Sequence, residues 1–314
     1  MKKISVLVPT YNEDENVELL VDALTKEFSD NLKNYDYEML FIDNDSTDNT
    51  QNILQKICRK NKKVKAIFNA KNFGQFNSPY YGMLQTTGDA TILICADFQD
   101  PVDMIHRFVS EWENGYKIVI GIKNKSKESK IMYFFRSCYY KLIKKFSSVE
   151  QIEHFTGFGL YDKSFIDILR NLDDSEPYLR GIVAELGYKR KEIVYIQQVR
   201  QRGKTKNNWY TLYDAAMLGI TSYTKAIMRI ATILGFIFAI VSFVIALTYF
   251  ILKLLFWDKF PMGTVPILIG IFLIGSIQLF FIGLLGEYMI NMNRRILKRP
   301  LVVEEKRINF EEVK

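Results

Sequence analysis

Asp97, Gln99 and Asp100 follow directly on the apolar run Ile92-Leu93-Ile94-Cys95-Ala96, and Pro101 closes the stretch. A β-branched run that stops at acids and a proline reads as a buried strand, because proline has no N–H for further ladder pairing. Its carboxyl end then presents oxygen ligands. Carboxylate and amide oxygens suit a hard divalent cation, Mg²⁺ or Mn²⁺, which keeps positions open for phosphate. Taken alone, these residues fit an acidic loop after a core strand equally well. Two more polar stretches stand in the same relation to an apolar run: Pro9-Thr10-Tyr11-Asn12-Glu13 after Ile4 to Val8, and Asp43-Asn44-Asp45-Ser46-Thr47-Asp48 after Tyr37 to Ile42. Cations suited to gripping phosphate gather later, on Arg200-Gln201-Arg202-Gly203-Lys204-Thr205-Lys206.

A frame must bring these stretches together. Val17, Leu20, Val21, Leu24 and Phe28 recur at helical spacing, as do Ile53, Leu54 and Ile57. Val64 to Phe68 predicts a third strand, then a helix reaches to about Thr87, and Ile92 to Ala96 is the fourth strand. Strands and helices alternating at this spacing predict an α/β domain with a doubly wound, mostly parallel sheet. The loops after the first, second and fourth strands then share one crevice at the carboxyl edge, where such sheets bind ligands. Neither GxGxxG nor GxxxxGK[ST] occurs, so the dinucleotide and P-loop phosphate cradles are missing. An acid-lined crevice takes nucleotide phosphates only through a bridging cation, which points to a metal-dependent nucleotide-sugar site. Beyond Pro101, a helix carries Met104, Ile105, Phe108, Val109 and Trp112, a strand runs from Lys117 to Ile122, and a basic, aromatic-rich stretch spans Ile131 to Phe146. Gly157 and Gly159 suggest a close backbone approach to a ligand, or a bulge.

Among 314 residues, 42 Lys and Arg oppose 35 Asp and Glu, a formal charge of +7. That surplus suits nucleotides, lipid phosphates or an anionic leaflet, and is too diffuse for nucleic acid, whose binding signatures are missing. Cys58, Cys95 and Cys138 have no paired spacing and read as reduced thiols. His106 and His154 stand in no triad-like context and read as structural. Ile4 to Val8 is too short for a signal peptide. Ile230 to Leu252 and Val265 to Gly286 carry no charge. A helix of about 23 residues reaches roughly 34 Å, enough for a bilayer core. Lys225 and Arg229 before these runs, with Arg294, Arg295, Lys298 and Arg299 after them, predict a two-helix transmembrane hairpin with both termini cytoplasmic. The expected organisation is a cytosolic domain over 1–208, a juxtamembrane amphipathic helix over 209–229, two transmembrane helices over 230–290 and a cytosolic tail over 291–314.

Several motifs in order carry a resemblance: Val8-Pro9-Thr10-Tyr11-Asn12-Glu13, Asp43 to Asp48, Asn72-Phe73-Gly74-Gln75, Asp97-Phe98-Gln99-Asp100-Pro101, Leu179-Arg180-Gly181, Arg200 with Gly203 and Lys206, and Gly286-Glu287-Tyr288. Together they resemble family 2 glycosyltransferases of the GT-A fold, in the branch of bactoprenol glucosyltransferases and dolichol-phosphate mannose synthases. The resemblance implies that Pro9, Tyr11, Glu13, Asp43 and Asn44 hold the nucleotide, on a surface that also takes in Ile42, Asn72, Gly74, Gln75, Cys95 and Ala96. It implies a divalent metal on Asp97 and Gln99, with Asp100 orienting the sugar or the metal shell. Lys123 stands where the family usually has an arginine, and Arg136, Arg180, Arg200 and Lys206 match cations that grip diphosphate or lipid phosphate. It further implies a multi-pass protein of the cell membrane that assembles as a homo-oligomer such as a tetramer. Two departures stand out. Cys95 replaces the Asp that usually opens the acidic triplet, and Asn44 replaces a second Asp.

The reaction so implied is inverting transfer of a hexose from a nucleotide diphosphate sugar, UDP-glucose or similar, to undecaprenyl phosphate, for O-antigen or cell-wall decoration. A phosphate monoester is mostly ionised at pH 7, so the acceptor needs no base. A processive polysaccharide synthase, or a transferase acting on a protein or glycan acceptor, is an alternative: Gln197 and Arg200 have the synthases' QxxRW spacing, although Gln201 replaces its tryptophan. A membrane-anchored nucleotide-binding protein without catalysis is another, kept open by Cys95.

Overall fold

The computed structural model describes residues 1–123, 152–198, 200, 202 and 264–310, and between them 217–218, 221–222, 233–237, 240–241, 244, 247–248, 251–252 and 254–255. β1 (Lys3–Thr10), α1 (Val17–Asn31), β2 (Asp36–Asp43), α2 (Thr50–Lys60), β3 (Val64–Asn69), α3 (Gly74–Leu84) and β4 (Ala90–Leu93) alternate as predicted. α4 (Met104–Glu113), β5 (Ile118–Lys123), β6 (Phe155–Asp162), α5 (Lys163–Leu172), α6 (Leu179–Glu185), β7 (Arg190–Tyr195), α7 (Thr264–Ile296) and β8 (Glu304–Ile308) follow. The strands form one sheet in the order β7-β5-β6-β4-β1-β2-β3-β8. β1 pairs parallel with β2 and β4, β2 with β3, and β5 with β7. Among the described strands, β6 and β8 alone run against their neighbours. The sheet is therefore mixed, and the carboxyl ends of β1, β2, β4, β5 and β7 share one edge.

Alternation along the strands explains why the sheet is covered on both sides. Ile4, Val6, Val8, Met39 and Phe41 enter one core with Val17, Leu20, Leu24 and Phe28 of α1. Leu7, Leu40 and Ile42 enter the other, with Tyr80 and Met83 of α3. Side chains of period 2 on a strand with helices on both faces must divide this way. β4 is shorter than the apolar run suggests. Leu93 is its last register partner of β1, at Leu7, and Ile94 N still reaches Leu7 O at 3.1 Å. Cys95 and Ala96 then lie in the loop and not in the strand. β8 arises where the sequence shows four charged residues and one isoleucine: Glu304–Ile308 pairs antiparallel with β3, and Asn309 Nδ2 donates to Cys58 O at 2.6 Å and Val64 O at 2.7 Å.

The expected transmembrane hairpin is corrected. Among the described residues no helix is long and apolar enough to cross a membrane, which removes the hairpin and the multi-pass membrane placement built on it. A charge-free run records that a segment avoids water and does not by itself establish a bilayer span. The stretch 230–252 lies only in part within the described residues. α7 ends in Arg294 and Arg295, and this charged end sits on the α/β domain, with Arg295 3.1 Å from Asp174 and Arg294 3.8 Å from Glu176. Most of the expected amphipathic helix over 209–229 lies outside the described residues.

The paired glycines belong to the sheet. Gly157 adopts φ +107° at the start of β6, and the β5–β6 register shifts between Ile120 and Ile122. A Cβ on Gly159 would stand 2.5 Å from Val119 O, inside contact distance of backbone that cannot move away. Gly159→Ala is therefore expected to lower unfolding stability by about 2–4 kcal/mol, measured by urea denaturation.

Candidate active site

The loops leaving β1 and β2 are sewn together by the polar residues that stood out in the sequence. Asn12 takes a left-handed backbone (φ 57°), donates its N–H to Ser46 Oγ at 2.8 Å and accepts from Thr47 N at 2.7 Å. Glu13 N reaches Thr50 Oγ1 at 2.9 Å, and Asp14 N reaches Asp48 Oδ2 at 3.3 Å. Asp43 is wholly buried. Its carboxylate accepts from Ser46 Oγ at 2.5 Å, Ser46 N at 3.0 Å and Gln51 Nε2 at 2.9 Å. Burial pushes its pKa up, against these bonds. Asp43 thus shapes its own turn first of all.

Asn44 is the hub that fastens the β3 loop. Its Nδ2 donates to Asn72 Oδ1 at 3.0 Å and Gly74 O at 3.2 Å, and its Oδ1 accepts from Asn69 Nδ2 at 3.0 Å and Phe73 N at 2.9 Å. Two donors and two acceptors are needed at one side chain, which an amide supplies and a carboxylate does not. Asn44→Asp would set a carboxylate oxygen against two acceptors. It is expected to cost about 1–3 kcal/mol in thermal unfolding. Gly74 (φ +90°) and Gln75 are exposed at the start of α3 beside this hub, while Ile42 and Ala96 are buried and offer the site backbone only. Pro9 and Tyr11 sit half-buried at the end of β1.

The β4 loop holds the acids. Asp97 Oδ1 accepts from Gln99 N at 3.1 Å, closing a turn that places Phe98 at φ 56°. A bulky side chain in that region costs about 1–2 kcal/mol, so packing of Phe98 on the main core must hold the turn. Asp100 lies behind it, 4% exposed, and accepts from Tyr195 Oη at 2.6 Å. Burial raises its pKa, opposed by Tyr195 and Lys123. Cys95 is exposed in the loop after β4, within electrostatic reach of Asp97, Asp100 and Lys123. Burial, with the Asp100 and Asp97 charges, pushes its thiol well above its ordinary pKa.

Cations close the ring. Arg200 donates to Glu13 Oε1 at 2.5 Å and lies 3.9 Å from Asp97 Oδ2. Burial raises the Glu13 pKa, opposed by Asn16 and Arg200 and reinforced by Asp97. Lys123, at the end of β5, has its pKa lowered by burial, with Asp100 and Cys95 opposing and Arg180 of α6 adding to the fall. The structure therefore brings together Glu13, Cys95, Asp97, Asp100, Lys123, Arg180 and Arg200 at one edge. Arg136 and Lys206 lie outside the described residues. Tyr195 and Gln198, whose N–H reaches Gln99 O at 3.2 Å, brace the acidic loop, and no local sequence signal marks them. His106 pairs with Glu27 at 2.8 Å. It lines a cavity of about 510 Å³ with Lys2, Tyr35 and Glu113, at the amino end of the sheet and away from these groups. Charge, not enclosed volume, identifies the site.

Known proteins align along this frame. The E. coli (strain K12) prophage bactoprenol glucosyl transferase homolog is 29% identical over 299 residues, covering 95% of this chain and 97% of that protein. The bactoprenol glucosyl transferase of Shigella phage SfX matches with the same identity and coverage. The putative glycosyltransferase CsbB of Bacillus subtilis (strain 168) is 28% identical over 297 residues, covering 95% of this chain and 89% of that protein. Among solved structures, mannosyl-3-phosphoglycerate synthase from Rubrobacter xylanophilus superposes with a TM-score of 0.48 at 14% identity, over 74% of this chain and 75% of that one. Mannosyltransferase PcManGT from Pyrobaculum calidifontis, in complex with GDP-Man and Mn²⁺, has a TM-score of 0.45 at 17% identity, over 64% and 58%. The family model described as Glycosyl transferase family 2 matches residues 5–169, more than half of the chain. The chain belongs to glycosyl transferase family 2 and is a glycosyltransferase.

Proposed function

We propose that this glycosyltransferase moves a hexose, with inversion, from a nucleoside diphosphate sugar such as UDP-glucose to a polyprenyl phosphate such as undecaprenyl phosphate. The observation that carries the reading is one crevice in which the carboxylates of Glu13 and Asp97 meet the cations of Arg200, Lys123 and Arg180. The bactoprenol glucosyl transferases among its relatives support a lipid phosphate as acceptor.

Asp97 and Gln99 would hold a divalent ion, Mg²⁺ or Mn²⁺. Among the described residues no group of three or more His, Cys, Asp or Glu could hold a metal. One carboxylate and an amide still fit, since such ions take one or two carboxylates and leave the rest of their shell to phosphates and water. When bound, the ion would neutralise the departing diphosphate. Cys95 adds no hard oxygen, so Asp97 carries the greater share.

Lys123, Arg180 and Arg200 would hold the acceptor phosphate against the charge of the donor, a positioning role. An acceptor oxygen already ionised at pH 7 forms its bond to the anomeric carbon as the bond to the nucleoside diphosphate breaks, and no proton need be removed. Asp100, buried and bonded to Tyr195, is then a brace for the acidic loop and not a base. The deciding assay supplies the purified protein with Mg²⁺ or Mn²⁺, undecaprenyl phosphate and a panel of labelled nucleotide sugars. Label passing into the organic phase supports the reading and identifies the donor; label that stays in water with every donor overturns it.

A further inference from the structure

Arg200 sits where the proposed ion must come. Asp97 Oδ1 is taken by Gln99 N, and Arg200 Nη1 faces the other oxygen, Oδ2, at 3.9 Å. Its Nη2 is bound much more closely, to Glu13 Oε1 at 2.5 Å. The segment that carries it is tied at both ends of the crevice: Gln198 N to Gln99 O at 3.2 Å on the β4 side, and Arg202 Nη1 to Glu15 O at 3.3 Å on the β1 side. Arg200 Nε also donates to Arg202 O at 2.9 Å. A planar guanidinium presents its donors as a fork, so one prong can stay bound while the other is given up.

We propose that Arg200 is an exchangeable internal cation: it neutralises Asp97 while the crevice is empty of donor, and pivots on Glu13 to release Asp97 to the divalent ion and turn toward phosphate. This rests on the function proposed above. The contact to Asp97 is long enough to yield to a doubly charged competitor, while the bond to Glu13 is short enough to persist. Glu13 is thereby a positioning residue for Arg200, a role distinct from contact with the nucleotide. The arrangement also keeps two partly buried carboxylates from facing each other uncompensated, at 11% and 15% side-chain exposure.

The test reads Mn²⁺ binding directly by electron paramagnetic resonance, with no turnover. Without nucleotide, Arg200→Ala is expected to bind Mn²⁺ about fivefold more tightly than the unaltered protein, the worth of one unit charge near 4 Å in a wet site. Arg200→Lys, which keeps the charge, stays within about twofold of the unaltered protein. Glu13→Gln frees the guanidinium to close on Asp97 and weakens Mn²⁺ about fivefold. With UDP present, the advantage of Arg200→Ala disappears, because the guanidinium has already left Asp97. Unchanged or weaker Mn²⁺ binding in Arg200→Ala overturns the exchange. Tighter binding in Arg200→Ala, together with no transfer to undecaprenyl phosphate from any donor, leaves the exchange standing and overturns the function instead. Absence of Mn²⁺ binding in every variant, with UDP or without, overturns both.

Discussion

Asp97→Asn is expected to lower kcat about a thousandfold, the usual scale for losing one preorganised electrostatic contact at a reacting group. The substitution keeps the volume of the side chain and an oxygen that can still accept from Gln99 N, now at 3.1 Å. The turn, and with it the left-handed Phe98, therefore survives. What goes is the negative charge that would hold the ion and that faces Arg200. Circular dichroism and the unfolding midpoint should accordingly match the parent protein, and the loss should appear in turnover under saturating donor. Turnover within tenfold of the parent would remove Asp97 from the metal site. Glu13 would be the next carboxylate to consider, since it shares the same guanidinium.

How much of this arrangement could be read from residues alone differs between strands and loops. β1 and β2 were legible because Val6, Leu7, Met39 and Leu40 alternate between two cores, a pattern imposed by the pleat. The end of β4 was not: Ile94, Cys95 and Ala96 are as apolar as a strand, and only the register with Leu7 shows where pairing stops. β8 has almost no apolar signal, since its pairing with β3 comes through backbone at a sheet edge. In the loops, residue types were informative but allegiance was not. Asp43 and Asn44 have the chemistry of ligands, yet Ser46, Gln51, Asn72 and Phe73 use that chemistry first. Arg200 meets Glu13 across 187 positions of sequence, a contact that no local spacing encodes. The charge-free runs misled for a related reason, because hydropathy records what avoids water and not what covers it.

A large, pH-dependent effect on stability is expected far from this chemistry, at Glu38. Its side chain is 3% exposed at the amino end of β2, where Lys3 Nζ lies at 2.7 Å and Lys65 Nζ at 2.8 Å from Oε2. Ser5 Oγ at 2.6 Å and Thr87 N at 2.8 Å donate to Oε1. Burial alone would raise its pKa, but the bonds from Lys3, Lys65, Ser5 and Thr87 hold it down at about 2, against an ordinary 4.5. A carboxyl whose folded pKa is depressed stabilises the fold fully above its unfolded value. It loses that contribution as pH falls toward the folded one. The gap corresponds to roughly 3 kcal/mol, present above about pH 5 and fading toward pH 2. Glu38→Gln should therefore unfold in urea with roughly 3 kcal/mol less stability at pH 7, and with about two-fifths of that deficit at pH 3. A deficit that is the same at both pH values would show that packing, not charge, holds this corner. Because Glu38 joins the starts of β1 and β2 and the turn before β4, while Asp97 and Arg200 lie at the ends of those strands, kcat of the folded variant at pH 7 should match the parent's. The two substitutions thus separate what stabilises the sheet from what acts at its edge.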